Sequence, residues 1–140
     1  MTWRRIIVAF LAVVVLAEVF VPDRYERVIE VHLDVLDGMA QKIDGIAAMG
    51  RRPSPNDLTE LIYPLTRARQ FTSKYESEGG RESYREFLEV VGAYEQLVAA
   101  VDAARGTDAS WQATRQIVRD QVRVVAARVV ATRAALAERS

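Results

Sequence analysis

Residues 50–57, Gly50-Arg51-Arg52-Pro53-Ser54-Pro55-Asn56-Asp57, decide how this chain folds. Gly50 can adopt the left-handed conformation that ends a helix, and the prolines close by block its continuation. Ser54 is a good N-cap, Pro55 suits the first helical position, and Asp57 stands third, beside the positive end of a new helix. One helix therefore stops here and another begins. A connection this short makes the two helices antiparallel neighbours.

Working outward, the same punctuation recurs. Before Gly50, a helix from about Arg24 to Met49 carries Tyr25, Val28, Ile29, His32, Val35, Leu36, Met39, Ile43 and Ile46 on one face at helical period. After Pro55, a second helix presents Leu58, Leu61, Ile62, Leu65, Ala68 and Thr72, and fades near Tyr75. Pro64 lies inside it and should kink it, because the amide that would bond back to Glu60 is missing. Ser77-Glu78-Gly79-Gly80 then breaks the chain, and Ser83 with Glu86 has the spacing of a capping box.

The third helix carries Tyr84, Phe87, Leu88, Val91, Tyr94, Val98 and Val101, and Gly106 closes it. Thr107 or Asp108 caps a fourth, whose stripe is Trp111, Val118, Val122, Val125, Val129 and Leu136. No segment alternates with the period of a strand, and no repeat is present. The expected fold of residues 23–140 is all-α, an antiparallel up-down-up-down four-helix bundle.

Charge supports that order. From Asp23 to Gly50 acids outnumber bases, whereas from Thr107 onward arginines outnumber acids. The first and fourth helices are neighbours in this topology, so their opposite charge favours correct registration. Arg115, Arg119, Arg123 and Arg133 could equally form a plain solvated face.

Residues 1–22 are different in kind. Ile6 to Val21 reads IIVAFLAVVVLAEVFV, a run in which Glu18 is the sole charge. A spanning helix needs about 20 apolar residues, and Trp3 and Tyr25 flank the run at roughly the spacing of two interfacial aromatic belts, ~33 Å apart. The expectation is a single transmembrane helix that anchors the chain. Arg4 and Arg5 favour an inside N-terminus, which places the protein in the cytoplasmic (inner) membrane with the bundle on the periplasmic or extracellular side.

The rival reading is a cleaved signal peptide. Arg4-Arg5 would be its charged region, and Val15-Leu16-Ala17 would offer small residues before a cut at Glu18. In an anchor, Glu18 lies one turn inside the outer boundary, where a carboxylate must snorkel or pair with another subunit.

Composition removes several function classes. Nineteen basic and nineteen acidic residues cancel, so no electrostatic argument points to nucleic acid. With no cysteine, disulfides, lipoprotein processing, haem attachment and thiolate zinc sites are excluded. His32 is the sole histidine, and no Ser/His/Asp set can be built on it. A di-iron bundle needs Glu-x-x-His pairs, and position 29 is isoleucine. Without strands there is no strand-linked phosphate loop. The chain is therefore expected to be no enzyme, with no cofactor, no metal and no small-molecule substrate.

What remains is surface. Gly38 and Gly45 are seven apart and in register with Val31, about two-thirds of the way from the core stripe to its opposite side. Such a ridge admits a closely approaching helix, either a bundle neighbour or a docking partner. Tyr63, Ile117 and Val124 also point away from their stripes. Together with the anchor residues Trp3, Arg4, Arg5, Glu18 and Tyr25, these suggest a membrane-anchored accessory subunit of a larger membrane protein complex. The alternative is an exported soluble helical protein acting as a binding, sensor or chaperone-like module.

Overall fold

The computed structural model describes residues 25–78 and 81–138. Trp3, Arg4, Arg5 and Glu18 lie outside them, as does the whole apolar run, and Tyr25 enters only as the first residue of a helix. Four α-helices make up the described chain: α1 (Tyr25–Ala48), α2 (Pro55–Lys74), α3 (Glu82–Ala104) and α4 (Asp108–Ala137). A single 3-10 turn, Glu76–Glu78, follows α2, and no strand occurs among the described residues.

The turn at residues 50–57 is built as its residues require. Gly50 has φ of 73°, and a Cβ there would meet the Arg115 guanidinium at 3.3 Å. Its amide donates to the Ala47 carbonyl at 3.0 Å, and that of Arg51 to Ile46 at 3.2 Å, the paired bonds of a Schellman motif. Ser54 Oγ accepts from the Asp57 amide at 3.1 Å while Asp57 Oδ2 accepts from the Ser54 amide at 2.9 Å, a complete capping box. Thr107 caps α4 through the Ser110 amide, at 3.0 Å.

The start of α3 departs from expectation. Arg81, not Ser83, is the N-cap residue, and its side chain makes no cap bond. Ser83 is fully buried inside the first turn. Arg81 instead ties this corner to α1, donating to Glu26 at 2.5 Å. A tertiary contact thus fixes the helix start where a local cap was expected.

Side-chain bonds give the topology. Along α1 and α4, Asp34 pairs with Arg133, Asp44 with Arg119, the Ala47 carbonyl with Arg115 and the Gly50 carbonyl with Gln112. One number rises as the other falls, so the two helices are antiparallel neighbours. The Asp44 hydrogen bond also pushes the Arg119 guanidinium above its ordinary range. Lys42 reaches Glu60 at 2.8 Å between α1 and α2, Arg69 pairs with Glu95 between α2 and α3, and Gln121 donates to the Ala93 carbonyl between α3 and α4. Arg52 donates to the Gly106 carbonyl at 3.3 Å, so the α1–α2 and α3–α4 turns meet at one end. The result is an antiparallel four-helix bundle.

The core is a continuous cluster drawn from all four helices. Leu33, Ala40, Phe71, Val90 and Leu97 are buried in it although the stripes read from sequence omitted them. Conversely, Ile62 and Leu88 face outward, at 39% and 42% exposure. In Leu61-Ile62 and Phe87-Leu88 two adjacent apolar residues compete for one inward position. The helix is rotated so that Leu61 with Phe71, and Phe87 with Leu97, take the core.

Pro64 is buried inside α2, which runs through it as one helix. It leaves the Glu60 carbonyl without its helical donor. One residue on, the buried Tyr94 hydroxyl donates to the Leu61 carbonyl at 2.5 Å, holding α3 against α2 where the proline weakens the ladder. Burial pushes the Tyr94 phenol well above its ordinary pKa, so it remains a donor at any physiological pH. Tyr94→Phe should lower stability by about 1–2 kcal/mol with an unchanged m-value, measured by urea unfolding. An unaltered midpoint would show that this bond contributes nothing.

Candidate functional site

The residues singled out for a partner fall on two sides of the bundle. Val31, Gly38 and Gly45 lie on the outward side of α1; Val31 and Gly38 are half-buried and Gly45 is exposed. A Cβ built on Gly38 or Gly45 has nothing within 4 Å. Among the described residues, then, no neighbouring helix reaches the position of a Cβ at either glycine. The Lys42–Glu60 contact sets the register of α1 against α2. One turn along each antiparallel helix from that contact, Gly38 comes level with Tyr63, which is 54% exposed.

Ile117 and Val124 belong elsewhere. With Gln121 they share the side of α4 that faces α3, where Gln121 holds the Ala93 carbonyl at 2.9 Å. Both are exposed, at 61% and 44%. They lie away from the α1–α2 face, so the six residues do not make one patch.

A third feature was not read from the sequence, because two helices must meet to create it. Between α2 and α3 an open groove of about 470 Å³ is lined by Leu58, Ile62, Leu65, Val98 and Ala99, with Asp102 at one end. The Arg69–Glu95 ion pair lies on its rim. Its only sequence sign was Ile62 beside Leu61.

No group of three or more His, Cys, Asp or Glu side chains among the described residues could hold a metal ion. His32 is 2% exposed and packs its ring on Phe71 and Phe87, at 5.1 and 5.9 Å between centroids. The Tyr84 phenol, raised by burial and then by Glu76, donates to the Thr72 carbonyl at 2.7 Å and thereby joins α3 to α2. Among the described residues no helix is long and apolar enough to cross a membrane. No family model, curated protein or solved structure matches the chain.

Proposed function

We propose that the protein is a non-catalytic, single-pass membrane-anchored helical-bundle subunit that packs on, or helps assemble, a larger membrane protein complex. The observation that carries this reading is the outward side of α1, where, among the described residues, a Cβ on Gly38 or Gly45 would meet no atom of another helix. Glycine inside a helix costs about 0.5–1 kcal/mol relative to alanine. Two of them, one heptad apart on an outward face, let a foreign helix approach more closely than side chains would allow. Only Pro22, Asp23 and Arg24 separate the apolar run from the start of α1. In the anchored reading, the helix that leaves the bilayer is thus the one that presents this face. A partner helix rising from the same membrane can then lie along it.

The reading is tested on native membranes. The protein should stay in the membrane fraction through high-salt and carbonate washes, with its N-terminus intact. After extraction in mild detergent it should migrate on a native gel well above the mass of one chain, and mass spectrometry should identify what travels with it. Release by salt alone, or an N-terminus at Glu18, would overturn the anchor. Migration as a single chain would overturn the complex.

A further inference from the structure

The groove between α2 and α3 takes none of its lining from α1 or α4. Its α2 wall is Leu58, Ile62 and Leu65, at spacings of four and three, so the three side chains form one ridge. Its α3 wall is Val98 with Asp102 one turn on, and Ala99 adds only a methyl group. Ile62 is exposed, and Leu58 and Val98 are half-buried. From Leu58 to Arg69 on the rim is ~16 Å of helix, about three turns. Two ridges of this length with an open trough between them suit one more helix. Such a helix would lower a row of aliphatic side chains into the trough, at i, i+3 or i+4, and i+7.

The polar groups decide what kind of helix fits. Arg69 and Glu95 pair with each other on the rim and cancel. Asp102 is exposed, and α3 carries no basic residue between Glu89 and Ala104. Among the described residues no salt bridge reaches Asp102, although Arg105 follows it by three positions. Asp102 also stands in the last turn of α3, where the helix dipole already presents negative charge and an acid is locally disfavoured. The facing ridge of α2 brings no cation, since Leu58, Ile62 and Leu65 are all aliphatic. The groove is therefore apolar along its length and negative at one end.

We propose that the α2–α3 groove receives an amphipathic helix of a partner protein, about three turns long, with its apolar side in the trough and a lysine or arginine on Asp102. A cation there supplies the counter-charge that Asp102 lacks and faces the negative end of α3. The site is separate from the glycine ridge of α1 and does not depend on the anchor. The chain thus offers partners two faces, one that admits close backbone approach and one that takes side chains.

The test uses the full-length protein with its Leu, Ile and Val methyl groups labelled for NMR. It is held in phosphatidylcholine nanodiscs, or in plain buffer should the chain prove unanchored. The probe is a blocked helical peptide with leucines at i, i+3, i+4 and i+7 and one lysine a turn beyond them. It should shift the methyl signals of Leu58, Ile62, Leu65 and Val98 and leave those of Ile117 and Val130 in place. Asp102→Lys should weaken its binding about fivefold, the reach of an exposed ion pair. With glutamate in place of the peptide's lysine the order should reverse, and the Asp102→Lys chain should bind better than the wild type. Shifts scattered over the surface, or no shifts, would overturn the groove as a docking site. Equal affinity of both chains for both peptides would overturn the basic partner. Contacts from the groove methyls to lipid chains, or to a differently labelled second copy, in the absence of peptide would give the groove to lipid or to self-association and sink the proposal.

Discussion

Val125→Asp should leave a chain that begins at Asp23 unfolded. Val125 has no exposed surface and sits between Val118, Val122 and Val129 on the stripe that α4 turns to the core. Removing the valine forfeits about 1.5–3 kcal/mol of apolar burial. The aspartate must then either keep its charge in the core or take up a proton and bury an unsatisfied carboxyl, which adds several kcal/mol more. The sum, about 5 kcal/mol or above, compares with a total stability of about 5–15 kcal/mol for a domain. Val91→Asp, at 7% exposure on α3, should behave in the same way. Val130 provides the control: it is 68% exposed on α4, and Val130→Asp should stay within about 0.5 kcal/mol of the parent. Circular dichroism and thermal melts check all three. A cooperative helical melt in the Val125 variant would show that the bundle is wrong.

Features that depend on local chemistry were legible in the sequence. Gly50, Ser54 and Asp57 each act within a few residues of themselves, and all three do what their types imply. The opposite charge of the ends of the chain became the Asp34–Arg133 and Asp44–Arg119 pairs. Rotation of a helix about its axis was less legible. With Leu61 and Ile62 adjacent, periodicity alone allowed either to point inward, and the packing of α3 through Tyr94 and Phe87 settled it. Ser83 shows the same limit at a helix end. Its spacing to Glu86 fits a cap, but the bond from Arg81 to Glu26, fifty-five residues apart in sequence, fixes where α3 begins.

The surface was legible in part. Tyr63, Ile117 and Val124 are exposed as their offset from the stripes implied. That they divide between two sides of the bundle depends on which helices are neighbours, and no single helix records this. The α2–α3 groove is invisible in either helix alone for the same reason. The glycines of α1 posed the sharpest ambiguity, since a ridge suited to close approach looks the same whether the approaching helix is internal or foreign.

That ambiguity sets the second large effect, at Gly38 and Gly45. Among the described residues, a leucine at either position meets no atom of another helix near its Cβ. Gly38→Leu with Gly45→Leu should therefore leave the isolated domain folded, and a melting point equal to or slightly above the parent is expected. Replacing glycine by a good helix former favours the helix by up to about 1 kcal/mol per site. On a partner the effect runs the other way. Two leucines two turns apart along a close helix contact hold the backbones apart, and overpacking of this kind costs typically about 1–3 kcal/mol per site. The pair should weaken docking by on the order of tenfold or more, since each 1.4 kcal/mol is a factor of ten. Thermal melts of the isolated domain beside a pull-down from solubilised membranes read the two effects separately. A melting point lowered with the complex retained would return these glycines to the bundle's own packing. A raised melting point with the complex retained would move the partner to another face of the molecule.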